Sequence, residues 1–121
     1  MNFYKHHIGD YAQATSHLSF VEDAAYSRML RKYYAEEAPL PAELKAVQRL
    51  VGARTKEERE AVETVLEEFF ELQADGWHNK RADAELAKAN AQAEANRRVA
   101  EEREARRRAR QEAEKQAGEP S

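Results

Sequence analysis

Histidines are the residues of this sequence with the most potential for metal binding, but their spacing does not favour a metal site. His6 and His7 are adjacent, and His17 and His78 stand alone, so no two histidines have the four-residue spacing that places ligands on one helix face. The chain has no cysteine that could supply a thiolate ligand. We interpret these histidines as surface or hydrogen-bonded side chains, and we expect no metal.

The chain also lacks the sequence patterns that carry catalysis. There is no glycine-rich phosphate loop, no serine or cysteine in a nucleophile elbow, and no spaced set of metal-binding carboxylates. The many glutamates fall on positions expected to be solvated helix faces. We therefore expect a protein that is not an enzyme and that has no cofactor.

Arginine is the residue type whose clustering indicates a function. Seven arginines and three glutamates lie between Arg97 and Arg110, whereas residues 1–80 carry ten Lys/Arg against fourteen Asp/Glu. A basic surface attracts the phosphates of nucleic acids. The hypothetical DNA contacts are Arg49, Arg54 and Lys56 around a turn, Lys80 and Arg81 after a hairpin, and Arg97, Arg98, Arg103, Arg106, Arg107, Arg108 and Arg110 in the tail. The alternative for the tail is a solvated helix whose arginines are balanced by its glutamates.

Two capping boxes and one short apolar stripe predict the helices that would position these residues. Ser19 with Glu22 starts a helix that should run to about Glu37, and Thr55 with Glu58 starts a third helix. Between them, the segment 40–43 should open a short second helix that ends at Gly52. The spacing of Tyr26, Tyr33 and Tyr34 favours core packing over a stacking platform for single strands.

The segment after the third helix is typical of a β-hairpin. Short stretches at 70–73 and 77–80 flank Ala74-Asp75-Gly76, and Asp-Gly is a frequent tight turn. We expect Trp77 to pin this hairpin to the helices. Three helices followed by a hairpin is the winged-helix order, so the predicted fold is mainly α with a small β-hairpin as the wing.

A long charged C-terminal α-helix is predicted beyond this body. Only two large apolar residues, Leu86 and Val99, follow Lys80, and no Gly or Pro occurs from Ala82 until Gly118. We therefore divide the chain into a winged-helix domain, residues 1–82, and a helical tail, residues 83–121, frayed at its end. The tail pairs Glu94 with Arg98, Glu102 with Arg106, and Glu104 with Arg108, each four residues apart. The seven-residue apolar repeat that a coiled coil requires is weak in this tail. Self-association through the helix is nevertheless kept as an alternative.

An ordered succession of short motifs runs through most of the chain. It comprises Tyr4, His7, Gly9-Asp10-Tyr11, Thr15, Leu18-Ser19, Glu22, Ala25-Tyr26, Leu30, Tyr33-Tyr34, Pro39-Leu40-Pro41, Leu50-Val51-Gly52-Ala53, Val65-Leu66, Phe69-Phe70 and Asp75-Gly76-Trp77-His78-Asn79-Lys80-Arg81. This succession, within residues 3–86, resembles the YdaU-like family, a prophage-associated domain of unknown function. That family is similar to the winged-helix amino-terminal domain of DnaD-like phage replication initiators. The resemblance implies a role in phage or prophage DNA replication, and it assigns no site residues.

Two hypotheses follow for the function. The first is a prophage-associated DNA-binding or replication accessory module. The second is a protein–protein interaction adaptor that binds a phage or host replication protein without direct DNA contact. The third helix bears on this choice, because six glutamates outnumber Lys56 and Arg59 on it and would be repelled by DNA phosphates. The sequence has no secretion signal and no apolar run long enough to span a membrane, so we expect a cytoplasmic protein without a membrane partner.

Overall fold

The computed structural model describes residues 13–118. Residues 13–15 are helical, and four further helices and two strands lie wholly within this range. Their order is α1 (Phe20–Glu36), α2 (Leu44–Leu50), α3 (Lys56–Phe69), β1 (Glu71–Gln73), β2 (Gly76–His78) and α4 (Lys80–Gly118). This confirms the predicted class: a mainly helical body with a small antiparallel hairpin, followed by a long C-terminal helix. The expected fraying at residues 119–121, and the sequence before residue 13, including His6, His7, Tyr4 and Tyr11, lie outside the described part of the chain.

Side-chain caps fix where the two longer helices of the body begin. The Ser19 hydroxyl accepts a hydrogen bond from the Glu22 backbone N–H at 3.1 Å, and the Glu22 carboxylate accepts one from the Ser19 N–H at 2.9 Å. Thr55 and Glu58 form the same reciprocal pair at the start of α3. Each pair satisfies backbone donors that the first turn of a helix leaves open. Both predicted capping boxes are therefore confirmed.

The second helix starts later than predicted. It begins at Leu44, with Glu43 as its N-cap residue, so the segment 40–43 precedes the helix instead of opening it. Leu40 is extended and forms an isolated bridge with Trp77: its N–H donates to the Trp77 carbonyl at 3.0 Å, and its carbonyl accepts from the Trp77 N–H at 2.8 Å. A residue before proline favours this extended conformation, and Pro41 follows Leu40. The predicted end at Gly52 agrees with the structure, where Gly52 has a φ of 78°.

The hairpin is confirmed, but its turn lies one residue earlier than Asp-Gly. Gln73 pairs with Gly76, so Ala74 and Asp75 connect the strands and Gly76 belongs to β2. Gly76 has a φ of 135°, and a Cβ atom placed there would lie 2.1 Å from the Leu40 carbonyl oxygen. The glycine is required because the Leu40 backbone passes directly over the strand. The turn itself does not require it. Trp77 pins the hairpin as expected, since its indole N–H donates to the Ala42 carbonyl at 3.1 Å.

The core forms where α1 and α3 pack together, with contributions from α2, from Leu40, from Trp77 in β2 and from the start of α4. Its most buried large side chains are Tyr33, Met29, Leu40, Leu66, Val47, Val62 and Val65. Tyr26 and Tyr33 are buried and Tyr34 packs partly against the core, which confirms their predicted role. The Tyr26 ring stacks on Phe69 with centroids 4.3 Å apart. The aromatic side chains therefore stabilise the packing of the helices.

The compact body extends to Leu86, four residues beyond the expected boundary at residue 82. Ala82 and Leu86 are buried in the core although both belong to α4. They are four residues apart, so they lie on one helix face, and the first two turns of α4 pack against the body. The prediction placed Leu86 in the tail because it lacks apolar neighbours in the sequence. Residues 87–121 form the second compact unit.

Asn79 connects the hairpin to the helices through a buried amide that is 3% exposed. Its side-chain oxygen accepts a hydrogen bond from the Ala82 N–H at 2.8 Å, which caps the start of α4. Its side-chain nitrogen donates to the Phe69 carbonyl at 3.1 Å and to the Tyr26 hydroxyl at 3.4 Å. Its backbone N–H donates to the Tyr33 hydroxyl at 3.3 Å. One residue thus satisfies polar groups from α1, α3 and α4.

We predict that Asn79→Ala lowers the free energy of unfolding by about 2–4 kcal/mol, because it removes a helix cap and leaves the buried Phe69 carbonyl and Ala82 N–H without partners. Urea unfolding measures the change. Gln73→Ala, on the exposed β1 strand, is the control and should change stability little. Equal loss in both variants would contradict a special role for Asn79.

We also predict that Gly76→Ala destabilises the protein by at least about 2 kcal/mol, because the new methyl group would meet the Leu40 carbonyl and the residue has a positive φ. Gly118→Ala is a matched control, since a Cβ atom there meets nothing within 4 Å. Thermal unfolding of both variants should show a large fall in melting temperature for the first and none for the second. An unchanged melting temperature for Gly76→Ala would show that the bridge to Leu40 is dispensable.

Candidate nucleic-acid interface

The solvent-facing side of α3 is acidic. Its apolar residues Ala61, Val62, Val65 and Leu66 are buried, whereas Glu57, Glu60, Glu63, Glu67 and Glu68 are exposed. The sixth glutamate, Glu58, is held at the helix start, where backbone hydrogen bonds from Thr55 and Arg54 lower its pKa. In a helix-turn-helix protein this helix would enter the major groove. Its surface instead opposes approach to phosphates.

The three predicted contacts around the turn between α2 and α3 lie in the turn or directly beside it. Arg49 is in the last turn of α2, Arg54 is in the loop, and Lys56 is the first residue of α3. All three are exposed, and the Lys56 ammonium lies 3.9 Å from the Glu60 carboxylate. The Arg54 carbonyl accepts a hydrogen bond from the Arg59 guanidinium at 2.6 Å. The turn therefore presents cations beside acidic neighbours.

A second basic group lies on α1, where no DNA contact was predicted from the sequence. Arg28, Arg31 and Lys32 line a surface depression together with Leu50 and Val51 at the end of α2. The Arg28 guanidinium donates to the Val51 carbonyl at 2.9 Å, which ties α1 to the end of α2. The i, i+3, i+4 spacing of these three cations was a sequence signal for a shared face. They add positive charge to a body that is acidic overall.

Lys80 and Arg81, predicted as the wing base, belong to the first turn of α4. Both are exposed. Arg81 lies close enough to the phenols of Tyr26 and Tyr34 to oppose the rise that burial causes in their pKa values. Asn79 caps the start of this helix, and it thereby fixes the place of these two cations.

A hydrogen-bonded cluster of Asp75, His78, Asp83 and Tyr33 closes the junction between the hairpin and α4. The His78 Nδ1 lies 2.8 Å from the Asp83 carboxylate, and its Nε2 lies 2.6 Å from the Asp75 carboxylate. The Tyr33 hydroxyl donates to the other oxygen of Asp83. An imidazole between two carboxylates is best satisfied in its protonated form, which donates from both nitrogens.

The charges of this cluster shift the titration of its members. The hydrogen bond to Asp83, and then that to Asp75, raise the pKa of His78 above its usual range. The same contact lowers the pKa of the Asp75 carboxyl. Burial, followed by the bond to Asp83, raises the pKa of Tyr33, so it stays a neutral donor. The cluster fits a structural clamp, because every group in it already has a partner.

The tail arginines divide into two groups by their partners. Arg97 and Arg98 pair with Glu94, and Arg107 and Arg108 pair with Glu104. The predicted pairs Glu94–Arg98 and Glu104–Arg108 are therefore present, at 3.6 and 3.4 Å. The predicted pair of Glu102 with Arg106 is wrong, because the Arg106 Nε donates to the Glu102 main-chain carbonyl instead. Within residues 87–118, the arginines that form no ion pair are Arg103, Arg106 and Arg110.

The three unpaired arginines lie on one face of the tail helix, together with Arg107, which is paired with Glu104. At about 100° per residue, Arg103, Arg106, Arg107 and Arg110 fall within an arc of roughly 100°. On the opposite side of the same helix lie Glu94, Glu101 and Glu112, while Glu102 and Glu104 flank the arc. Glu114, one turn beyond Arg110, lies on the same side as the arginines. We call Arg103, Arg106, Arg107 and Arg110 the arginine face. Positive charge is therefore concentrated on one side of the helix, whereas a count of charges along the sequence assigns it only to the tail as a whole.

Between residues 13 and 118, no three His, Asp or Glu side chains are grouped as a metal site would require. No helix in that part of the chain is long and apolar enough to cross a membrane.

Fold and surface together define a small helical protein with a β-hairpin and a basic C-terminal helix. The chain belongs to a family described as "Protein of unknown function (DUF1376)", whose model matches residues 2–87. The match covers the whole body and ends within one residue of the structural boundary at Leu86. No curated protein and no solved structure matches the chain.

We predict that the His78 clamp makes stability depend on pH. Because the folded-state pKa of His78 is raised, its contribution is fully present below the unfolded value near 6.5 and is lost as pH rises through the folded value. His78→Asn should therefore lower the melting temperature more at pH 5.5 than at pH 8.5. Gln73→Ala, on the exposed strand β1, provides a control that removes no titratable group. A melting-temperature difference between wild type and His78→Asn that is the same at both pH values would contradict the clamp.

Proposed function

We propose that this protein is a non-catalytic DNA-binding or DNA-replication accessory module of a prophage, in which the body positions the protein and the tail helix supplies most of the affinity for DNA. The arginine face carries the proposal. Four guanidinium groups between Arg103 and Arg110 lie on one side of an exposed helix, where they outnumber the single carboxylate of Glu114 and form a surface that attracts phosphates.

The surface of the body supports assigning DNA contact to the tail. The exposed glutamates of α3 would repel the DNA backbone, so a conventional recognition-helix contact is disfavoured. Cations at Arg49, Arg54 and Arg31 could add phosphate contacts from the body. The sequence resemblance to the YdaU-like family, and through it to phage replication initiators, supports placing this activity in phage DNA replication.

A protein–protein interaction adaptor is the second candidate, and a specific observation favours it. Phe20, the first residue of α1, is 90% exposed, and it borders a depression of about 230 Å³ that Val21, Val51 and Val62 help to line. A large exposed aromatic beside an apolar depression is typical of a protein-binding surface. A phage or host replication protein is the partner class that the family resemblance suggests.

A salt titration of DNA binding tests the leading proposal. Full-length protein and a full-length variant with all seven arginines from Arg97 to Arg110 changed to Gln would be compared by gel shift at about 50 and 200 mM salt. We expect the wild type to bind and to lose affinity steeply with salt, and the variant to lose this binding, because each neutralised phosphate contributes to the salt dependence.

Two outcomes would contradict parts of this proposal. Unchanged affinity of the variant would remove the tail from the DNA interface. Absence of wild-type binding to both single- and double-stranded DNA would reject DNA binding and favour the adaptor. Glutamine is a good helix former, so the variant should keep the helix, and circular dichroism checks this.

A further inference from the structure

We infer that the arginine face binds the major groove of B-form duplex DNA, with the tail helix lying in the groove as a single element. This inference rests on the proposed DNA-binding function and adds the form of nucleic acid and the groove. It is carried by the dimensions of the helix, by the polar side chains that extend the arginine face, and by the residue types that the tail lacks.

The dimensions of the tail helix match the groove. An α-helix with its side chains is about 10–12 Å across, and the B-form major groove is about 12 Å wide. Arg103 and Arg110 are seven residues apart, which is about 10.5 Å along the helix, or roughly three base pairs. Within residues 87–118, the helix surface is exposed along its length, with only scattered positions partly covered. The helix can therefore enter a groove without first separating from a packed neighbour in that segment.

Two amide side chains extend the arginine face toward the helix start. Gln92 and Asn96 fall on the same side of the helix as Arg103, and the Gln92 side-chain nitrogen donates to the Asn96 side-chain oxygen at 3.0 Å. Asparagine and glutamine pair with adenine, and arginine pairs with guanine, in the major groove. Val99, 44% exposed on this side, offers an apolar contact suited to a thymine methyl group. The face thus combines phosphate-binding and base-edge groups.

Other nucleic acids fit this surface less well. Proteins that bind single strands stack bases on aromatic side chains, and none of the ten aromatic residues lies after Trp77. The major groove of duplex RNA is deep and too narrow for side chains to read. Duplex DNA is therefore the form that the tail can contact with an exposed, non-aromatic helix.

The ion pairs of the tail also favour contact through one side. Arg103, Arg106 and Arg110 have no carboxylate partner within residues 87–118, so binding DNA through them breaks no ion pair. Arg97, Arg98 and Arg108 are already paired with Glu94 or Glu104. Phosphates that approached these three paired arginines would meet the glutamates as well. The same holds at the edge of the arginine face, where Arg107 is paired with Glu104. The two groups therefore differ in their availability although they carry the same charge.

Two full-length variants that lose the same charge test the inference. R103Q/R106Q/R110Q removes the unpaired arginines, and R97Q/R98Q/R108Q removes three paired ones from the rest of the helix surface. Fluorescence anisotropy with a 20-base-pair DNA duplex, repeated over a range of salt concentrations, gives affinity and salt slope.

We expect the first variant to lose at least about tenfold in affinity and to lower the salt slope by roughly 2 to 3, and the second to change both much less. Equal losses in the two variants would overturn the assignment to one face. Circular dichroism should show that both variants keep their helix content.

The same assay with three probes tests the form of nucleic acid. A DNA duplex, the corresponding DNA single strand and an RNA duplex of the same sequence are compared with wild-type protein. We expect the DNA duplex to bind at least about tenfold tighter than the other two probes. Equal or tighter binding of the single strand, or of the RNA duplex, overturns the groove inference while leaving nucleic-acid binding in place. Failure of all three probes to bind rejects the proposed function itself.

Discussion

The buried side chain of Asn79 is the interaction on which the arrangement of the body depends. An amide has donors and an acceptor that must all find partners when it leaves water, and at this position they do so on α1, α3 and α4. An apolar residue could fill the space but could not fix the start of α4. The start of α4, and the place of Lys80 and Arg81 at its first turn, follow from this one residue.

Charge is distributed in a way that complements this architecture. The body uses glutamates at helix starts and on exposed faces, where they cap helices and keep the surface hydrated. The tail has few large apolar residues, so its helix is stabilised by intrinsic propensity and by pairs of charges three and four residues apart. Because those pairs use only part of the arginine set, a helix that carries only a small excess of positive charge still has one basic face.

Local patterns in the sequence predicted the parts of the fold that depend on neighbouring residues. Ser19 and Thr55 correctly predicted two helix starts, since a capping box depends only on the N-cap residue and the three residues that follow it. The predicted start of α2 was wrong because the backbone of Leu40 pairs with that of Trp77. These long-range hydrogen bonds compete with helix formation at Leu40. The hairpin turn lies one residue from its predicted position for the same reason. Glycine is required at position 76 by the nearby Leu40 backbone, and not by the neighbouring residues in the sequence.

The candidate interface could be predicted only in outline. Counting charges located the basic region, but separating Arg103 from Arg97 required the ion pairs that the structure shows. The cluster around His78 joins residues up to 50 positions apart, so no local pattern revealed it. Arg28, Arg31 and Lys32 had the spacing of a shared face, but they lie on α1, which is not the helix that enters the groove in the helix-turn-helix pattern.

The bridge between Leu40 and Trp77 has a consequence for how the body opens and closes. These two backbone segments enclose α2, α3 and β1 in a single loop, and the hydrogen bonds between them close it. Closing such a loop costs chain entropy, which only the completed core repays. The amide protons of Leu40 and Trp77 should therefore exchange with solvent through the same cooperative opening, at rates set by the unfolding of the whole body.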